Sequence, residues 1–362
     1  MERGSGEAVG HGGVPAARRR RSRLCADRLL DAAAGVLGRP ARRPDGVRGP
    51  RPVAERRFLA QGLLAQAGAA LAKGRLARYY GLYVAPPRYR PEQQLTLTTA
   101  DGVRLNAWRL DGPADALCTF VLVHGFVNSS RSPGVHRFAH LLARRGHVIV
   151  PDMRGHGRSG GLCSMGRNEP LDVAAAVAAA PPGLPVVTIG TSLGGAAVLM
   201  HAGASGTVAG VVGISAPARG DLDRVGTHRV RKLVSGRVGR VVLAAALRTR
   251  VGPDCIYLPD AGSLVANIAP AFTVVAHDPD DGYFGPQHAE SIYEWANEPK
   301  ALWWYENAGH GGDLLTEELA ERIMAETALR LAEAAAGAGP EGGGDAGDDL
   351  SGAGPVSGPR TS

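Results

Sequence analysis

The feature that most constrains this chain is an alternation of two kinds of segment. Short, β-rich apolar runs recur at Thr119–Val123, His147–Val150, Val186–Ile189, Val208–Ile214, Phe272–Val275 and Leu302–Tyr305. Stretches with helical character lie between them, near His136–Arg145, Leu171–Ala180, Gly194–His201 and Gln287–Ala296. Strands that are apolar almost throughout, rather than at every second residue, must be covered on both faces. The pattern predicts an α/β domain in which a mostly parallel sheet is flanked by helices. Just before it, Leu95–Thr99 and Val103–Trp108 alternate around Asp101-Gly102, a dipeptide that signals a hairpin turn.

The periodic region, residues 93–336, is bounded on both sides by sequence of another kind. Residues 1–55 are rich in Gly, Arg, Pro and Ala, carry the run Arg18–Arg21 and lack an apolar period, so a disordered basic extension is expected. In the lead-in, 56–92, the apolar Phe58–Ala72 follows Arg56-Arg57 and imitates a secretory signal but starts too deep in the chain. An amphipathic helix and a cytoplasmic protein are expected, with export as the alternative if the true start lies near residue 55. Within the domain, residues 217–270 separate the fourth strand from the fifth, too long for a plain crossover, so an inserted cap is expected there. A last helix over Leu314–Ala336 precedes a Gly/Asp/Pro/Ser tail, 337–362, expected to be disordered.

Composition removes several classes. At 44% hydrophobic and 21% charged residues the chain is neither collagenous nor wholly disordered. Residues 1–90 hold 19 Lys/Arg against 6 Asp/Glu and the rest 22 against 28, so the basic balance belongs to the N-terminal quarter. Only Lys73, Lys232 and Lys300 are lysines, which points to codon bias toward Arg rather than to a nucleic-acid partner. A basic arm holding nucleic acid or acidic membrane stays as a separate function class. Cys25, Cys118, Cys163 and Cys255 are scattered without metal-ligand spacing, and no apolar run reaches the length of a membrane span.

Chemistry enters through serine. The pattern G-x-S-x-G, in which glycines let a strand turn sharply into a helix and expose a hydroxyl, occurs twice. Gly157–Gly161, around Ser159, lies in a Gly-rich loop and leads into no clear helix. Gly190–Gly194, around Ser192, follows Pro185–Ile189 and runs into Gly195–Met200, so Ser192 is the candidate nucleophile. Such a serine needs a base and an acid that orients the base. His310, in a small-residue loop after the last strand, is the candidate base. The strand Phe272–Ala276 empties into Asp278, Asp280 and Asp281, which compete for the acid. Calcium at this cluster lacks the EF-hand spacing. Zinc at His124 or His156 lacks a third ligand.

The segment from about Gln94 to Ala336 resembles the α/β-hydrolase fold family. Val121–Phe126 is similar to its strand ending in an HG-x oxyanion turn, and Pro151–Ser159 to its D-x-R-G-H-G-x-S loop. Gly190–Gly194 resembles its nucleophile elbow, and Gly309-His310 its terminal histidine. The resemblance implies Asp281 as the acid, although Asp278 stands where the family's G-x-x-D has Gly, which keeps Asp280 as the alternative. It also implies backbone N–H groups of Phe126 and Leu193 as the oxyanion hole, and a structural hydrogen bond for His124. The expected function is a serine hydrolase acting on a small-molecule carboxylic ester or related acyl bond, without metal or cofactor. A peptidase or thioesterase on the same triad, and a silent scaffold used for binding, are the alternatives.

Overall fold

Strands form where apolar residues run together, and eight of them join in one sheet of order β1-β2-β4-β3-β5-β6-β7-β8. They are β1 (Glu92–Thr98), β2 (Arg104–Leu110), β3 (Thr119–Val123), β4 (His147–Pro151), β5 (Val186–Thr191), β6 (Gly210–Ile214), β7 (Phe272–His277) and β8 (Lys300–Trp304). The computed structural model describes residues 92–219, 225–253, 255 and 261–337. The expectations for residues 1–55, for the lead-in before 92 and for the tail after 337 lie outside these. β1 and β2 pair antiparallel, as do β2 and β4, and the remaining pairs are parallel. Among the described residues no helix is long and apolar enough to cross a membrane.

The turn between β1 and β2 is longer than Asp101-Gly102 alone. The Thr99 N–H donates to Val103 O at 3.0 Å and the Gly102 N–H to Thr99 O at 2.9 Å, closing a loop of Ala100, Asp101 and Gly102. Gly102 takes the left-handed conformation, φ 79°, which a three-residue hairpin loop places on its last residue.

The period of two within each buried strand divides the core. Phe120 and Leu122 of β3 point to one face, where Phe138 and Leu142 of α1 (Pro133–Leu142) and Leu319 and Ile323 of α8 (Glu317–Gly337) meet them. Val121 and Val123 point to the other, against α2 (Glu169–Ala178), α3 (Leu193–Ser205) and α7 (Pro286–Trp295). Helix boundaries moved where caps decide them. α1 begins three residues earlier than the apolar spacing suggests because Pro133 supplies a preset φ at the first turn. The last helix starts at Glu317, not Leu314: the Thr316 Oγ1 accepts the Leu319 N–H at 3.2 Å, and Glu317 and Glu318 fill the first turn. Leu314 belongs to the 3₁₀ turn Gly311–Leu314.

Between β6 and β7 the chain forms α4 (Val225–Ser235), α5 (Arg237–Leu247) and the short α6 (Gly262–Val265). Val234 of α4 and Leu243 of α5 are buried in a separate apolar cluster with Cys163, Met165, Leu193, Val251 and Cys255, and Phe126 packs against it.

At the sheet edge, Glu92 accepts from the Arg131 guanidinium on one oxygen and bonds His136 Nε2 at 2.5 Å with the other. Burial raises the Glu92 carboxyl, but these bonds, with His140 3.6 Å away, outweigh it and hold the pKa far below the carboxylate range. A depressed folded pKa contributes stability that is present above the unfolded value and lost as pH falls. Glu92→Gln is expected to cost about 2 kcal/mol at pH 7. In denaturant melts the gap from the parent should be full above pH 5, begin to narrow near pH 4 as the unfolded-state carboxyl protonates, and vanish only well below the ordinary carboxylate range, where the folded carboxyl protonates.

Candidate active site

The parallel strands carry their connecting loops to one edge, where the chain ends of β3, β5, β7 and β8 converge. Ser192 follows β5 directly and caps α3 with φ 53° and ψ −117°, a backbone region that side chains rarely adopt. The neighbouring glycines make this turn possible. A Cβ on Gly190 would collide with the Gly194 backbone, and one on Gly194 would lie 2.6 Å from the carbonyl oxygens of both Val123 and His124. The same close approach brings Gly125, at the end of β3, against the Ser192 side chain, since a Cβ there would sit 3.2 Å from Ser192 Cβ.

His310, in the loop after β8, places Nε2 2.9 Å from Ser192 Oγ. Its Nδ1 lies 2.6 Å from Asp281 Oδ2, in the loop after β7. Asp281 is fully buried, and its Oδ1 accepts the N–H groups of Tyr283 at 2.7 Å and Phe284 at 3.3 Å. Burial raises this carboxyl, but the hydrogen bond and charge of His310 and the Tyr283 N–H outweigh it and hold it below its ordinary value. The rings of Tyr283 and Phe284 pack against the imidazole, with centroids 4.4 and 5.7 Å away. Asp280 is exposed, and its N–H caps Asp278 Oδ1 at 2.9 Å.

Two residues that sequence reasoning did not assign hold the histidine loop. Asp278 Oδ2 accepts the Gly309 N–H at 2.7 Å, which ties the β7 loop to the β8 loop. Ser215 Oγ, just after β6, accepts the Gly311 N–H at 3.0 Å. The signal for Ser215 was its place one residue past a buried strand, on the same edge as Ser192. For Asp278 it was a carboxylate where the resembling family has glycine.

The histidines of the other loops are fixed and neutral. His124 Nδ1 donates to Gly125 O at 2.9 Å and Nε2 accepts the Met153 N–H at 3.0 Å, so the ring bolts the β3 loop to the β4 loop. Burial lowers its pKa. His156 donates from Nδ1 to Arg154 O at 3.0 Å, and burial, with His124 and Arg250 nearby, pushes it down to about 3. Its ring stands edge-on to Phe126, 5.8 Å between centroids. Ser159 is buried away from Ser192's partners: its Oγ donates to Asp152 O at 2.5 Å and accepts the Asn106 N–H at 2.9 Å. The loop is anchored further by Arg154, which bonds Asp172 at 2.8 Å and both oxygens of Asp101.

Among the described residues, Glu92, His136 and His140 bring potential metal-ligand atoms within 4.8 Å of one another. The Arg131 guanidinium already compensates the Glu92 charge there, which weakens the case for a cation.

Chemically, the arrangement offers a hydroxyl at a half-buried strand-to-helix turn, an imidazole positioned to accept its proton, and a buried carboxylate positioned behind that imidazole. Leu193 opens α3, so its N–H is one of the donors a helix start leaves without an intrahelical partner. α4 and α5 cover this corner with the apolar cluster that includes Leu193 and Phe126.

The model of the Alpha/beta hydrolase family matches residues 120–341 of this chain. The Pyrococcus furiosus esterase Pf2001 has a similar structure, TM-score 0.54 at 20% sequence identity, with 68% of this chain and 96% of that chain covered. The alpha/beta hydrolase GrgF from Penicillium sp. sh18 also has TM-score 0.54, at 16% identity, covering 67% of this chain and 98% of its own. No curated protein matches the sequence.

Proposed function

The chain belongs to the alpha/beta hydrolase family, and from that premise we propose that it is a serine hydrolase cleaving a carboxylic ester or related acyl bond of a small molecule. The observation that carries this reading is the unbroken line Asp281 Oδ2, His310, Ser192 Oγ, with bonds of 2.6 and 2.9 Å. His310 takes the proton of Ser192 as Oγ attacks the substrate carbonyl, and the developing imidazolium is stabilised by Asp281. Charge collects on the carbonyl oxygen and is received by the N–H groups of Leu193 and Phe126. One such donor is worth roughly 10²–10³ in rate. Collapse of the tetrahedral intermediate returns the proton through His310 to the leaving oxygen and leaves Ser192 acylated. Water then attacks the acyl-enzyme by the same route in reverse.

Turnover of p-nitrophenyl acetate, butyrate and octanoate tests the reading. The parent should release p-nitrophenol, and Ser192→Ala and His310→Ala should each lose roughly 10⁴–10⁶ of the rate. Ser159→Ala should keep its turnover, since Ser159 braces a loop. Undiminished release by Ser192→Ala would overturn the assignment.

A further inference from the structure

Helix α5 is apolar on two sides. Leu243 is fully buried and Leu247 packs against the cluster beneath, whereas Val238, Val241 and Val242 are 53%, 65% and 47% exposed. With Ala245 these positions follow the i, i+3, i+4, i+7 spacing of a single stripe, and Ala245 is exposed as well. Scattered surface hydrophobes need no explanation. Here three of the six large exposed hydrophobes of the described residues fall within five positions.

The charge around the stripe has one sign. Residues 225–248 contain Arg229, Arg231, Lys232, Arg237, Arg240 and Arg248, and no Asp or Glu. Arg240 turns back to the carbonyls of Val234 and Ser235 at the end of α4, and the other five cations are exposed. This basic surface stands on a body that is otherwise acidic, since residues 91–362 together hold 22 Lys/Arg against 28 Asp/Glu.

We propose that the outer face of α4 and α5 docks on an anionic phospholipid surface. The valine stripe enters the boundary between headgroups and acyl chains, while Arg229, Arg231, Lys232 and Arg237 meet the phosphates. Other occupants fit one half of the surface and not the other. A second copy sets cations against cations. Nucleic acid uses the charge and leaves the valines in water. The apolar Phe58–Ala72 is flanked by Arg56-Arg57 and by Lys73 and Arg75, so it meets the same repulsion. The tail after Gly337 is acidic but holds only Leu350 and Val356 as large apolar residues. The inner side of the two helices covers Phe126 and Leu193, so the docked hairpin lies over the candidate site, yet docking itself requires no reaction at Ser192.

Flotation of the full chain with vesicles tests this. The protein should float with phosphatidylcholine vesicles containing about 30% phosphatidylglycerol and stay behind with phosphatidylcholine alone. The triple variant Val238→Ser, Val241→Ser, Val242→Ser should bind the anionic vesicles at least about tenfold more weakly while melting at the parent's temperature. Arg229→Gln with Arg231→Gln and Lys232→Gln should weaken binding by a similar factor, and serves alone if the serine variant unfolds. Absence of flotation overturns the proposal. So does binding that ignores the serine substitutions and vanishes in about 0.5 M salt, because that would place it on the basic residues 1–55. Capture of DNA in place of vesicles overturns it as well.

Discussion

Asp281→Asn is expected to lower ester turnover by about 10⁴-fold with the fold intact. The size of the effect follows from which end of the new amide faces the histidine. Oδ1 of Asp281 is held by two backbone donors, from Tyr283 and Phe284. An asparagine satisfies them only with its carbonyl oxygen in that place, which turns its NH₂ group toward His310 Nδ1. The imidazole then accepts at Nδ1 and carries its proton on Nε2, the wrong tautomer to receive a proton from Ser192. Asp280→Asn, one residue away but exposed, should stay within about twofold of the parent, because its side chain touches neither His310 nor Ser192's partners. Equal losses from the two variants would show that the loop's charge matters and not the bond at Asp281 Oδ2.

Gly194→Ala should produce a large loss of stability for a single added methyl group. The new Cβ would meet the carbonyl oxygens of Val123 and His124, both main-chain atoms at the end of a buried strand, with no flexible side chain to yield. A cost of about 3 kcal/mol is expected, which for a domain of this size lowers Tm by about 9 °C. Relief of the clash pushes β3 and its loop away from α3, so Phe126 and Leu193 separate. The surviving folded protein should turn over esters at least about 10²-fold more slowly, as for any displacement of about 1 Å at a positioned site. A calorimetric Tm within 2 °C of the parent would mean that the elbow is looser than its spacing implies.

Much of the fold was legible because the strands that matter most are buried on both faces. β3, β6 and β7 read as largely apolar runs and are buried at every position. The pairing order was not legible, since register between distant strands is set by packing that no local pattern encodes. The places of Ser192 and His310 could be read from their settings, a strand running into a helix and a small-residue loop after the last strand. Choosing among Asp278, Asp280 and Asp281 could not be done from local pattern, because all three sit in one loop and differ only in direction. Their partners separate them: Asp281 faces His310, Asp278 faces Gly309 and Asp280 faces solvent. Helix α5 escaped the helical reading for a physical reason. In α5 apolar residues lie on two faces, Leu243 buried on one and Val238, Val241 and Val242 exposed on the other, which widens the single apolar stripe that marks a surface helix.

Whether Ser192 is a nucleophile activated by His310 is tested most directly by the site of covalent capture. A fluorophosphonate should label the full chain once, and peptide mass spectrometry should place the adduct on Ser192. His310→Ala should slow the labelling by at least about 10²-fold, the scale of general-base catalysis. An adduct on Ser159 or on another residue, or no adduct on a protein that melts cooperatively, would contradict the account.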